Sequence, residues 1–355
     1  MKKIFFAVLA LAGLAACSTE DVVSRPEGAV IGFDNAFVEN STRAADINAD
    51  NLANFGVYGS VVNSSNQQGM IFANQEVTGS KDNGYSYDPK QYWIAGASYD
   101  FVAFAPYQNQ TDDNATWKYN PTVGTAAENG TITFDNAKAS ANQDFLFAAT
   151  SCNTPDSFTS APAAVGFTFN HMLSRVKLSF TNGFQSKGNI KLVVKNVHIT
   201  NTAAVGTLAV AKAESATEAA VADDWTTVAT NNNLDVTFGD VADAAQLVEN
   251  GSGSTTHFYV IPAEREYNIT FDVDLYQAGV LVDTYNRTAT LSYNMQPGYS
   301  YDIKANLNHK NTSDEGEIFP IEFQVSGVNG WDNNSGTWTD VNADGYAPVT
   351  PPANN

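Results

Sequence analysis

Beyond residue 28 the apolar residues of this chain alternate with polar ones in short runs cut by Gly, Asn, Asp and Pro. A period of two suits a strand, which buries every second side chain, whereas a helix needs apolar residues three and four apart. The fold class this predicts is all-β. Candidate strands are Leu52 to Tyr58, Tyr99 to Phe104, Thr131 to Phe134, Val165 to Asn170, Val176 to Phe180, Ile190 to Thr200, His257 to Ile261, Tyr267 to Tyr276, Val280 to Leu291, Ser300 to Leu307 and Ile318 to Val325. Within them, Leu275-Tyr276-Gln277-Ala278-Gly279-Val280-Leu281 reads as a hairpin turning at Gly279. Short strands with regular turn signals favour packed antiparallel sheets over a parallel α/β sheet. Only Ala209 to Asp223, rich in alanine, has helix-like composition, and its Thr and Val residues work against a helix.

With 355 residues and 43% hydrophobic content, the chain can fill two cores of ordinary domain size. A break falls at His171-Met172-Leu173-Ser174-Arg175, between a strand ending at Asn170 and one beginning at Val176. It divides the chain into an N-terminal β-sandwich over 44–172, a C-terminal β-sandwich over 173–340 and a polar, Pro-rich flexible tail over 341–355. The formal charge is -20, from 18 basic and 38 acidic residues. No cluster of Lys or Arg after residue 3 could track a phosphate backbone, so nucleic acid is not an expected partner.

The N-terminus is organised differently. Met1-Lys2-Lys3 precedes an uncharged run from Ile4 to Ala16, too short for the ~20 residues of a spanning helix, and the run closes on Leu14-Ala15-Ala16-Cys17. Residues 1–17 resemble a bacterial lipoprotein signal with its lipobox, which implies lipid on Cys17 and a tether to the outer membrane. The acids of Ser18-Thr19-Glu20-Asp21 are similar to the surface-export tags of some such lipoproteins. Acylation of Cys17 leaves Cys152 without an intrachain partner, so no disulfide framework is expected. With no His or Lys beside it in sequence, Cys152 reads as a small, partly buried residue rather than a reactive thiol.

Catalytic and metal motifs are missing. There is no His-Glu-x-x-His, no Gly-x-Ser-x-Gly and no Gly-rich phosphate loop, and His171, His198, His257 and His309 lie far apart. His171, after a core-like strand, is expected to be a hydrogen-bonded structural residue at the domain junction. Asp340-Val341-Asn342-Ala343-Asp344-Gly345 matches the first half of a calcium loop, but its twelfth position is Pro351 rather than Glu. Asp112-Asp113 and Asp223-Asp224 read as solvated turns rather than a glycosidase pair. The aromatics Tyr85, Tyr87, Tyr92 and Trp93 could stack on sugars, although packing between strands is the commoner use of such residues. No enzyme activity, cofactor or metal is predicted.

Five segments in order resemble the fimbrillin superfamily, the type V pilus subunits of Gram-negative anaerobes, which also includes Mfa-like lipid-anchored surface proteins. They are the lipobox at Cys17; Val30-Ile31-Gly32-Phe33 followed by Ser41-Thr42-Arg43-Ala44; Tyr85 to Trp93 leading to Tyr99-Asp100-Phe101-Val102-Ala103-Phe104-Ala105-Pro106; Asp144-Phe145-Leu146-Phe147-Ala148; and Phe167 to Val176. The resemblance implies two tandem transthyretin-like β-sandwich domains with Greek-key-type antiparallel sheets. It also implies cleavage by an extracellular arginine-specific protease between Arg43 and Ala44, which makes 18–43 a propeptide that includes the first strand.

Val30, Ile31, Phe33 and Phe37 of that strand would pack into the first domain, and their removal would leave an apolar groove edged by unpaired backbone groups. A neighbouring subunit would then supply the missing strand, the expected donor being the C-terminal segment with Ile321, Phe323 and Val325 on one face. Such a head-to-tail contact grows an open filament. The implied partners are other fimbrial subunits, of the same or an accessory kind, and a receptor on a host or bacterial surface. Stalk, tip and anchor roles stay open, as does an adhesin that keeps its lipid permanently.

Overall fold

The structure is a computed structural model that describes residues 29–34, 37–38, 47–122, 129–139, 142–184, 189–212, 220–222, 225, 227–228, 233–241, 248, 250–312, 321 and 323–330. The fold is all-β, and no α-helix occurs among the described residues. The first half supplies β1 (Phe37–Val38), β2 (Asn54–Val62), β3 (Gln68–Ser80), β4 (Gly84–Ser86), β5 (Ser98–Ala105), β6 (Trp117–Pro121), β7 (Gly130–Asp135), β8 (Leu146–Asn153) and β9 (Thr168–His171). The second supplies β10 (Ser174–Asn182), β11 (Ile190–Ala203), β12 (Val205–Lys212), β13 (Ala220–Ala222), β14 (Thr227–Val228), β15 (Asn233–Gly239) and β16 (Ser252–Ser254). It continues with β17 (Phe258–Val260), β18 (Glu264–Gln277), β19 (Val280–Asn294), β20 (Tyr299–Leu307) and β21 (Phe323–Gly330).

A 7-stranded sheet runs β1-β9-β8-β5-β2-β3-β4. Its central strand β5 reads Tyr-Asp-Phe-Val-Ala-Phe-Ala without strict alternation because both faces are covered. Tyr99, Phe101, Ala103 and Ala105 enter one core, while Val102 and Phe104 enter a second core on the opposite face. That second face is roofed by another sheet, β13-β12-β7-β6, in which β7 pairs with β12 from Gly130↔Val210 to Asp135↔Val205. This sheet takes strands from both sides of residue 172, and its core joins Trp117, Ile132 and Phe134 to Leu208, Val210 and Ile261.

The C-terminal part is a two-layer packing of β16-β10-β20-β21 against β15-β11-β18-β19. Strict alternation returns here: Tyr267, Ile269, Phe271, Val273 and Leu275 of β18 all point into the core, against Val176, Leu178 and Phe180 of β10. The expected hairpin forms between β18 and β19, with Ala278 (φ 50) and Gly279 (φ 83) between the paired Gln277 and Val280. Positive φ at both loop residues matches the right-handed twist of the flanking strands.

The helix-like reading of Ala209 to Asp223 is corrected. Ala209 to Lys212 belong to β12 and Ala220 to Ala222 form β13. Leu208 and Val210 are buried on one face of β12, and pairing with β7 outweighs a modest alanine preference for helix.

Candidate functional site at the N-terminal strand

One face of the 7-stranded sheet is closed partly by residues 29–34, which lie between two other stretches of chain. On one edge Ile31 N–H donates to the Gln91 carbonyl (2.9 Å) and Trp93 N–H donates to the Ala29 carbonyl (2.8 Å), an antiparallel bridge of Val30 with Tyr92. On the other edge Val165 N–H donates to the Gly32 carbonyl (2.8 Å) and Asp34 N–H to the Val165 carbonyl (3.0 Å), a parallel bridge of Phe33 with Val165. The segment is therefore a short strand with both backbone edges occupied. Further along, Phe37 and Val38 run parallel to Thr168 and Phe169 of β9.

Side chains hold the segment more firmly than this short ladder. Ala29, Ile31 and Phe33 are buried in the first core. The Phe33 ring meets Tyr87, Phe72, Phe167, Phe101 and Phe55 at centroid distances of 5.4, 5.5, 5.8, 6.2 and 6.3 Å. Burying Ile31 and Phe33 contributes about 3–6 kcal/mol, at ~1.5–3 each. The Tyr87 hydroxyl donates to the Ile31 carbonyl (2.7 Å) and accepts from Gln91 N–H (3.1 Å). Burial holds the Tyr87 phenol above its ordinary pKa, and burial followed by the Asp34 carboxylate does the same to Tyr85, so both rings stay neutral.

Val30, expected to pack into the core with Ile31, faces the other way. It is half-buried and outside the core cluster, because successive strand residues point to opposite faces. Phe37 is placed by its backbone alone, and Cys17, Arg43 and Ala44 lie outside the described residues.

At the other end, Ile321, Phe323 and Val325 are buried in the C-terminal core, and β21 pairs antiparallel with β20. Among the described residues, β21 is the last strand of its sheet and pairs with β20 alone. The Phe323 ring meets Phe180 and Phe271, each at 6.1 Å.

A sequence profile described as fimbrillin-like matches residues 42–320. The chain belongs to the fimbrillin-like family. Its members are structural rather than enzymatic, so this is a fimbrial-type subunit. Among solved structures, a fimbrial protein from Bacteroides vulgatus shares 16% identity at a TM-score of 0.54, with 85% of this chain and 99% of that one covered. A candidate cell adhesion protein from Bacteroides uniformis also shares 16% identity, at a TM-score of 0.45, with 85% and 98% covered. No curated protein matches the sequence.

Elsewhere in the fimbrillin-like chain the aromatics Tyr85, Tyr87, Tyr92 and Trp93 mostly pack between strands, the commoner use, rather than forming one platform. Tyr87 and Trp93 are core residues, Tyr85 is partly buried against Phe55, and Tyr92 is exposed. His171 is buried at the junction with Nδ1 2.9 Å from Asp144 Oδ2. Asp112 and Asp113 lie in an exposed turn, with the Asp112 carboxylate accepting from Asn114 N–H. Residues 340–345 and Asp223-Asp224 lie outside the described residues, and no three His, Cys, Asp or Glu side chains converge on a metal site among the described ones. Burial, and then the Asp100 carboxylate, push the Cys152 thiol up to about 11, which keeps it protonated and unreactive at neutral pH.

The walls of the seat were the part that sequence reasoning missed. The Ala29, Ile31, Phe33 alternation marks a strand, but nothing local shows that residues 85–93 and 163–165, far apart in the chain, converge on its two edges.

Proposed function

We propose that this fimbrillin-like protein is exported as a lipoprotein precursor acylated at Cys17, cut between Arg43 and Ala44, and polymerised by strand exchange into adhesive fibres at the outer membrane. In this reading 44–172 and 173–340 are the two transthyretin-like sandwiches of the mature subunit. The observation that carries it is the seat of residues 29–34: a short segment at the chain start provides Ile31 and Phe33 to the first core and occupies two backbone edges at once. The proposed cut follows this segment in the sequence. Its loss would strip the five rings around Phe33 of their central partner and leave donors and acceptors at Gln91, Trp93 and Val165 unpaired, a costly state that a replacement strand relieves. Receptor contact and a stalk, tip or anchor position are further levels of the same reading.

Mass spectrometry of the surface-extracted protein tests it. The expected result is an N-terminus at Ala44 in SDS-resistant ladders, with Arg43→Ala leaving uncut monomers. Lone chains that keep acylated Cys17 and residues 29–34 on the cell surface would identify an anchored adhesin instead.

A further inference from the structure

The two end segments share a pattern that sets a register. Ile31-Gly32-Phe33 and Ile321-Glu322-Phe323 place the same two side chains two residues apart, and in both segments the Ile and the Phe are buried. Resting on the strand-exchange reading above, we infer that the C-terminal strand of one copy enters the vacated seat of the next in a single register, with Ile321 in the place of Ile31 and Phe323 in the place of Phe33.

The seat's own geometry selects this register. Pro320 then falls on Val30, and neither hydrogen bond framing Val30 uses its N–H: those bonds belong to Ile31 N–H and Trp93 N–H. A proline costs nothing there, whereas one residue further along it would remove the bond to the Gln91 carbonyl. Glu322 falls on Gly32, whose side faces outward; a Cβ built there sits 3.4 Å from the Ala164 Cβ, an ordinary contact. The Ile321 carbonyl takes the position of the Ile31 carbonyl, the acceptor for the Tyr87 hydroxyl. A slip by one residue turns Glu322 into the aromatic core, burying a carboxylate without a partner. A slip by two puts Ile321 or Val325 where a phenyl ring fills the space among five others, leaving a void.

Leaving its own sheet costs the donor its place in the C-terminal core, where Ile321, Phe323 and Val325 are buried. Among the described residues, β21 is bonded along one edge and Phe323 meets two rings, whereas residues 29–34 are bonded along two edges and Phe33 meets five, the environment the donor would enter.

Cysteine pairs in the full chain, with Cys152→Ser as background, read the register. Val30 and Tyr92 form a non-hydrogen-bonded antiparallel pair, the closer of the two kinds, at ~4.5 Å between Cα atoms and within disulfide reach. Chains carrying Tyr92→Cys with Pro320→Cys should therefore cross-link between subunits at least tenfold more than chains carrying Tyr92→Cys with Ile318→Cys or Glu322→Cys. Stronger cross-links at 318 or 322 in an intact polymer would overturn the register and leave strand exchange standing. A native chain that never polymerises would overturn both. Should Pro320→Cys stop export, a photo-crosslinking residue at 92 in an otherwise native chain gives the same readout: adducts centred on 320 support the register, and adducts centred on any other donor residue refute it.

Discussion

The strands at the two ends of the molecule use the same alternation but are held in opposite ways. Residues 29–34 form a short ladder with bonds on both edges, and their stability is concentrated in side chains, above all in one phenyl ring surrounded by five others. Among the described residues, β21 forms a longer ladder on one edge, and its single ring, Phe323, meets two others. A strand anchored by packing can be lifted out whole once the chain behind it is cut, since few backbone bonds have to break. A strand anchored by a ladder peels from its end. In the proposed strand exchange, the first would be the seat that changes occupant and the second the segment that leaves its sheet.

Truncating the two phenyl rings gives the largest contrast. Phe33→Ala should cost about 3–5 kcal/mol in the uncut chain. Phe323→Ala should cost less by about 1.5 kcal/mol or more, because among the described residues three fewer ring pairs are lost, at ~0.5–1.5 each. Hydrogen exchange along a denaturant series, read separately in each half, checks this, because two cores need not unfold together. Equal losses would break the comparison.

Next comes the polarity of the seat. Ile31→Ala should cost about 2–5 kcal/mol and Val30→Ala less than about 1, because only the first points into the core. Similar costs would mean that residues 29–34 lie on the sheet face without inserting.

A smaller effect separates hydrogen bonding from packing. Tyr87→Phe keeps the ring beside Phe33 but removes the donor to the Ile31 carbonyl, at a cost of about 1–2 kcal/mol. Exchange of the Ile31 amide should then be about tenfold faster with β21 unchanged. The hydroxyl also sets an alkaline limit. Burial raises the Tyr87 phenol in the folded chain, so its contribution is complete below the unfolded value of ~10 and is lost as pH rises through the raised folded value. Loosening of residues 29–34 should therefore begin only above pH ~10, and Tyr87→Phe should blunt it. Loosening below pH 8 would assign the effect to another group.

How far the fold was legible depended on how each strand is covered. β18 and the part of β19 from Tyr285 onward, each with one solvated face, announce themselves by alternation, and their turn by Ala278-Gly279. β3 gives little signal, since Phe72 and Val77 are its only buried residues and the rest face water. β12 is hidden among alanines and is a strand because β7 offers it a partner, a long-range fact that no local window carries. The candidate site divides along the same line. Ile31 and Phe33 were legible as inward residues, but their walls come from Phe55, Phe72, Phe101 and Phe167, which lie in separate parts of the chain.

The smallest predicted effect is at Gly32, and it bears on what the seat accepts. Gly32 does not adopt the left-handed backbone that requires glycine, and a Cβ there would touch Ala164 at 3.4 Å. Gly32→Ala should therefore change stability by less than about 1 kcal/mol, with the lost freedom of the unfolded chain offsetting any crowding. Gly79 provides the contrast: at φ +156 its Cβ would lie 2.2 Å from the Gly84 carbonyl oxygen, so Gly79→Ala should displace β4. If Gly32→Ala proves as damaging as Gly79→Ala, the outer face of the seat is closed to side chains. A donor bearing glutamate at that position could not then enter in the register inferred above.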